Sequence, residues 1–527
     1  MINKSDIISP YVLDNCNPIH TGKLLKKIII NEEIWQTRVA ILDKEKLQDI
    51  YFDFHNKIDL ERCFFKGKVS KVLPGIQTAF VNIGQPKAGF LHINEVDRTL
   101  AAKKIFIDTE EIQEREDITR IVKHAMDIGK IFKEGDEILV QAIKEPIYEK
   151  GAKLTTCFTL PGKFVVLMPN IPQIGISKKI ESRTERIRLK DLIQKKLPKG
   201  MGAIVRTTAE NRPEKDMQKD LSFLISTWKS ITKKSERAKP GDKIHEDIPV
   251  SLRTVRDHLD NEIAAVIVDN VETQKSVIRF VKNFTPEQSQ KIFLYNDHIP
   301  IFDKFNIEKQ IEEALQKKVP LKSGGSLIIE STEAMCVVDV NTGRYTGKGK
   351  LEETIFETNI EAAEEIVRQL RLRNIGGLIV IDFIDMTSAS NKQKLSRFLE
   401  KTLKEKDKYQ SVMLKVSEFG LVQMTRKRSG KTLVQQLMNV CPTCNAHGYI
   451  KSRSTISFDI LKHFKNQVES EGCKNSIILV VSTKIFDYLI HNEFQALLLL
   501  EEELHCKIIL ESNDEFEESE FSVKKID

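Results

Sequence analysis

From Leu351 to Arg373 the chain contains neither glycine nor proline, and Ile355, Ile360, Ala363, Val367 and Leu370 recur at helical spacing until Asn374-Ile375-Gly376 ends the pattern. This predicts one long amphipathic helix. An apolar run stands on each side: Cys336-Val337-Val338-Asp339-Val340-Asn341 before it, and Gly376-Gly377-Leu378-Ile379-Val380-Ile381-Asp382-Phe383-Ile384-Asp385 after it. Both read as buried strands. A strand, a helix and a second strand in this order make a right-handed crossover with parallel strands, and ligands collect beyond the carboxyl ends of such strands.

Those ends are acidic. Asp339 and Asn341 are two apart and face the same side of a strand, so a carboxylate and an amide can converge on one point. Asp382 ends the second run. Carboxylates beside apolar strands need a partner, and a hard divalent cation with oxygen ligands is a natural one. Taken singly, Asp339 can equally cap a turn and Asp382 a helix. As a pair at one sheet terminus they are functional-site candidates.

Val338-Asp339-Val340-Asn341-Thr342-Gly343-Arg344, Glu352-Glu353-Thr354, Arg368-Gln369-Leu370-Arg371-Leu372-Arg373 and Ile381-Asp382-Phe383-Ile384-Asp385-Met386 closely resemble the catalytic region of the RNase E/G family of bacterial endoribonucleases. The resemblance spans roughly residues 24 to 450, with a weaker match beyond. It implies that Asp339 and Asp382 hold a magnesium ion that activates water against an RNA phosphodiester, and that Asn341 orients Asp339.

Upstream, residues 63–69, 78–84, 88–92 and 135–142 are short strand-like runs punctuated by Gly and Pro, the pattern of a small barrel. This part resembles the family's OB-fold RNA-binding domain, in which exposed aromatics stack on bases and cations hold the backbone. Phe80, Phe90 and Lys150 match its RNA-contacting positions. Without the resemblance, both phenylalanines read equally well as core. Between Arg98 and Ile128 a Glu- and Lys-rich, helix-like stretch interrupts the pattern and reads as a solvated insertion.

In residues 157–250, Leu160 to Pro169 reads as a strand, Ile187 to Leu197 as a basic helix and Gly202 to Thr207 as another strand. An arginine fork with an adjacent hydroxyl, as in Arg206-Thr207, can grip a phosphate. The dipeptide alone says little. The resemblance implies a sensor for an RNA 5′-monophosphate, with main-chain help from Gly162 and Val166.

Of eight cysteines, only Cys441-Pro442-Thr443-Cys444 has ligand spacing. A tetrahedral structural zinc needs four ligands and this motif supplies two. Either His447 and a distant residue complete the set, or two chains contribute a pair each. The resemblance, which departs from the family's common glycine at Ala446, implies the second: a zinc link between protomers.

A 527-residue chain with 40% hydrophobic residues has ample core for several domains. The net charge of +6, from 82 basic and 76 acidic residues, is mild, so nucleic-acid affinity has to come from local patches. The N-terminus lacks a cationic stretch followed by an apolar core, and no apolar run approaches the ~18 residues of a membrane span. A cytoplasmic protein with no membrane association is expected.

The fold expected is multidomain α/β and β. By resemblance, an RNase H-like subdomain (24–58 and 252–318) carries the inserted OB-fold barrel (59–156) and 5′-sensor (157–251). A DNase I-like catalytic subdomain (319–440), the zinc link (441–449) and a small C-terminal α/β domain (450–527) follow, and residues 1–23 form an N-terminal extension. In the last domain, residues 477–482 and 507–510 read as strands around a helix at 484–500. No long low-complexity tail follows, so a scaffold for partner enzymes is not expected. The function expected is a magnesium-dependent endoribonuclease cutting single-stranded RNA in rRNA and tRNA processing and mRNA decay, assembled as a zinc-linked dimer or a dimer of dimers. The alternatives are a catalytically silent RNA-binding scaffold and a DNA-directed nuclease.

Overall fold

The long helix runs Leu351–Leu372 and joins strands Met335–Asn341 and Gly377–Asp382, which lie parallel. The computed structural model describes residues 26–56, 59–98, 127–145, 151–342, 351–415, 417, 420–428, 430–444, 448–471 and 476–525. The two strands are central in a six-stranded sheet. Its order is Lys318–Pro320, Ser326–Ser331, Met335–Asn341, Gly377–Asp382, Leu421–Arg426 and Ser411–Met413.

One face of this sheet carries Val338, Val340, Ile379 and Ile381 into a core with Ala363, Ile366 and Val367 of the long helix and Leu395 and Leu399 of the Ala389–Lys406 helix. Each fully buried aliphatic side chain contributes about 1.5–3 kcal/mol. The two runs, read from sequence as buried strands, are buried on this face alone. Met335, Val337 and Leu378 point to the opposite face and are exposed, because the helices cover one face only. Gly377 begins its strand at φ +102°, where a Cβ would also strike the Arg428 guanidinium, so the Gly-Gly pair is demanded by backbone and space together.

A second sheet draws on distant parts of the chain. Its order is Ile292–Leu294, Ile263–Val268, Lys26–Glu32, Gln36–Asp43 and Lys46–Phe54, with the first three strands parallel. Asp49 of this sheet is buried and ion-paired with Arg371 at the end of the long helix and with Lys408, whose Nζ also donates to the Tyr51 hydroxyl at 2.6 Å. Burial pushes the Asp49 carboxyl up, but Lys408 and Arg371 together pull it well below the usual carboxylate range. This charge cluster locks the acid-bearing sheet's helix onto the second sheet.

The barrel closes. Phe64–Leu73, Thr78–Asn82, Gly89–His92, Lys153–Thr155 and Glu137–Lys144 pair in that order, and Phe64 to Lys68 pairs back with Gln141 to Glu137. Lys153–Thr155 is absent from the predicted strands, and Lys243–His245 adds a sixth strand from outside the expected barrel boundary. The stretch at 99–126 lies outside the described residues, as do residues 1–25.

The predicted strand from Leu160 to Pro169 is two strands, Leu160–Pro161 and Val165–Met168, folded back on each other. They belong to a four-stranded sheet with Ile174–Ile176 and Gly202–Val205, packed against helices Arg183–Lys196 and Glu214–Arg237. The Asp220 carboxylate, buried on the second helix, accepts the backbone N–H groups of Lys163, Phe164 and Val165 at 3.2, 2.8 and 3.1 Å. A Cβ at Gly162 would lie 2.5 Å from that carboxylate, which accounts for the glycine.

The chain divides into two compact units, Met1–Gln436 and Leu437–Asp527. In the second, strands Lys507–Asn513, Ser476–Ser482 and Phe521–Lys525 form a sheet in that order, with helix Arg453–Glu471 packed on it. The single helix expected at 484–500 is two, Thr483–Asn492 and Phe494–Leu504, which meet at Glu493.

Candidate active site

Asp339 and Asp382 are direct partners in the parallel register, on the exposed face of the sheet. Asn341 Nδ2 donates to Asp339 Oδ2 at 2.8 Å, which fixes that carboxylate and leaves its other oxygen available. Partial burial, then the charges of Asp339 and Asp385, push the Asp382 carboxyl up from its ordinary value. Like charges held side by side favour either a shared proton or a cation between them. Among the described residues no group of three or more His, Cys, Asp or Glu side chains could hold a metal. Two carboxylates are nonetheless a fitting set for Mg²⁺, which keeps several waters and takes one or two carboxylates plus substrate phosphate oxygens.

The in-register pairs Met335/Leu378 and Val337/Val380 precede Asp339/Asp382 on the same face. An apolar strip therefore leads along two strands to the carboxylates. Below it, the buried Asn359 of the long helix holds the loop after Asp382: its Nδ2 donates to the Ile384 carbonyl at 2.9 Å and its Oδ1 accepts the Ile384 N–H at 3.1 Å. Asn359 is not among the residues singled out from sequence. Its signal was a polar side chain on the helix face marked by Ile355 and Ile360.

On the barrel, Phe80 and Phe90 stand opposite each other on adjacent strands, half-buried. They belong to the outer face, since Ala79, Val81 and Leu91 fill the core. Lys71 pairs across from Phe80, a cation beside the aromatic pair that the motifs do not mark, while Lys153, across from Phe90, is ion-paired with Glu95. Lys150 lies outside the described residues.

Of the expected phosphate residues, Arg206 and Gly162 are in direct contact. Arg206 Nη1 donates to the Gly162 carbonyl and to Asp257 Oδ1, both at 2.7 Å, and the exposed Thr207 opens a short 3₁₀ turn just after it. Val166 sits in the strand opposite Ile204. The Gly162 amide is engaged by the Val165 carbonyl at 2.8 Å, so Gly162 meets the arginine through its oxygen. Asp257 also accepts Arg256 Nε and Nη2, each at 3.1 Å.

In the second unit, Cys441 is exposed, and N–H donation from Cys444 and then Thr443 to its sulfur lowers the thiol from its ordinary value. Backbone amides turned onto a sulfur favour the thiolate, the form that binds metal. His447 lies outside the described residues.

The model of the Ribonuclease E/G family matches residues 159–429, and that of the RNase E/G thioredoxin-like domain matches residues 440–526. Ribonuclease G of Salmonella typhimurium (strain SL1344) is 38% identical over 436 residues, covering 83% of this chain and 86% of that protein. Ribonuclease G of Haemophilus influenzae is 36% identical over 472 residues, 90% of this chain and 93% of its own length. Ribonuclease E of Escherichia coli (strain K12) is 34% identical over 509 residues, 95% of this chain but 46% of that longer protein. With matches of this extent across both units, the chain belongs to the ribonuclease E/G family.

Proposed function

We propose that the protein is a magnesium-dependent endoribonuclease that cuts single-stranded RNA, senses a 5′-monophosphate, and serves rRNA and tRNA processing and mRNA decay. Membership of a ribonuclease family makes it a hydrolase acting on RNA. The observation that carries the finer reading is the in-register pair Asp339 and Asp382, with Asn341 bonded to the first. A Mg²⁺ ion bound there would lower the pKa of water toward neutrality and neutralise charge on the attacked phosphate. Asp339 and Asp382 would hold that ion, and Asn341 keeps the Asp339 carboxylate in one orientation.

Phe80 and Phe90 would stack on bases while Lys71 and Lys150 hold the backbone, the arrangement that suits an unpaired strand. Arg206 and Thr207, beside Gly162 and Val166, would take the terminal phosphate. In this reading the closed barrel is an OB-fold, the sheet of Lys26–Glu32 is RNase H-like, and the acid-bearing sheet is DNase I-like. Cys441 and Cys444 of two copies would share a structural zinc. No helix among the described residues is long and apolar enough to cross a membrane, in keeping with a cytoplasmic enzyme.

Matched single-stranded RNA and DNA oligomers, each with a 5′-monophosphate or a 5′-hydroxyl, test this directly. Cleavage of RNA that needs Mg²⁺, stops with EDTA and is faster with the monophosphate is the expected result. Tight RNA binding without cleavage would leave a silent scaffold, and equal cleavage of DNA a less selective nuclease.

A further inference from the structure

We propose that Asn359 is a positioning residue for Asp382, setting the metal affinity of the carboxylate pair from beneath the sheet. This rests on the reading of Asp339 and Asp382 as the magnesium site.

Asp382 is the last residue of its strand, so past it the ladder no longer holds the backbone. The chain there is gripped instead by the long helix. Asn359, with no exposed surface, spends both faces of its amide on Ile384, two residues after Asp382. About two turns toward the helix start, Glu352 accepts from the Thr387 hydroxyl and from the Ser388 N–H at 2.9 Å. The same helix packs the fully buried Ala362, Ala363 and Ile366 against the sheet. One rigid element therefore supports the strand end from two points.

A primary amide offers a donor and an acceptor side by side in one plane, matching the N–H and C=O of a single residue, whereas an ionised carboxylate only accepts and a serine has one hydroxyl. An apolar residue of the same volume would fill the space but leave two partly buried backbone groups of Ile384 unpaired. A carboxylate pair serves as a metal site when its groups are held within about 0.5 Å of the productive geometry. Groups that orient metal ligands without touching the metal commonly change affinity or activity about 10–100-fold when lost.

The test is Mn²⁺ binding followed by electron paramagnetic resonance without RNA, beside the Mg²⁺ concentration for half-maximal cleavage. Asn359→Ser, Asn359→Asp and Asp382→Asn are compared with the unaltered chain, and thermal melting checks folding. The expected result is that both Asn359 variants fold, weaken Mn²⁺ binding about tenfold or more, raise the Mg²⁺ requirement alike and recover cleavage at high Mg²⁺. RNA affinity measured in EDTA should not move.

Asn359 variants with unaltered metal dependence, while Asp382→Asn loses metal and cleavage, would overturn the positioning role and leave the metal site standing. An Asp382→Asn protein that binds Mn²⁺ and cuts normally would remove the site itself, and the proposal with it. If neither Asn359 variant folds, Asn359 is a requirement of the fold and the positioning role is likewise overturned.

Discussion

Arg206 donates to the Asp257 carboxylate at 2.7 Å, and that same carboxylate is forked by Arg256. Burial alone would push the Asp257 carboxyl up, but Arg256 and then Arg206 hold it well below the usual carboxylate range. Two guanidinium groups thus converge on one carboxylate, and Asp247 stands 3.8 Å from Arg256 as a second acid of the cluster. Arg206 is followed directly by the exposed Thr207, and the two stand where a terminal phosphate is proposed to bind.

Arg206→Ala should therefore erase the preference for a 5′-monophosphate over a 5′-hydroxyl while sparing cleavage of circular RNA. A charge-assisted contact is typically worth about 1.5–3 kcal/mol, so about tenfold or more in preference is at stake. Paired cleavage rates on linear and circular substrates measure it. An unchanged preference would move the sensor away from Arg206.

Asp339→Asn and Asp382→Asn should each abolish cleavage while leaving RNA affinity nearly intact, because binding is assigned to the barrel aromatics and the phosphate contacts. Asn341→Ala should be milder than either or at most comparable. Its one bond at 2.8 Å orients Asp339, which also stays in register between Ile328 and Asp382. Single-turnover cleavage at saturating Mg²⁺ separates the three variants, and near-normal turnover in both aspartate variants would rule out this site.

Lys163 makes a prediction about pH. Its ammonium is buried, donating to the Leu259 carbonyl at 3.2 Å and the Thr285 hydroxyl at 3.1 Å, and burial lowers its pKa from 10.5 to about 8. Between those two values the unfolded chain binds more protons than the folded one, so stability attributable to Lys163 rises with pH across that window. The charge penalty is full below about pH 8 and relieved as the pH approaches 10.5. Relative to Lys163→Met, the unaltered chain should gain up to about 3 kcal/mol over this range, read from urea midpoints at each pH. Parallel curves for the two chains would show that Lys163 does not titrate there.

The strand-helix-strand unit was legible because a 22-residue helix with one apolar stripe and two short apolar runs leaves few alternative arrangements. Its exposed face was harder to read. Val337 and Leu378 are as apolar as the buried Val338 and Ile379, and only the placement of two helices on one side distinguishes them. The turn at Gly162 was hidden in a nearly continuous apolar run, since its cause, Asp220, lies on a helix far along the chain. Asp257 was invisible for a similar reason: what makes it part of the phosphate cluster is a partner 51 residues away. Asp339, Asn341 and Asp382, by contrast, are tied by strand period and register, both of which leave a trace in sequence.

Counting ligands at Cys441 and Cys444 gives the last prediction. The turn at residues 441–444 aims N–H groups at the Cys441 sulfur and lowers its pKa, so this thiol is poised to ionise and bind metal. Two thiolates complete half of a tetrahedral zinc site. If two copies of the chain supply the four ligands, the purified protein should hold about one zinc for every two chains, against about one per chain for a private site. Cys441→Ser should then remove the zinc and loosen the oligomer together. Mild acid or a strong chelator should do the same, because the ligands bind only when deprotonated. Metal analysis alongside light scattering checks both halves at once: one zinc per chain, or a Cys441→Ser protein of unchanged mass in solution, would exclude a shared site.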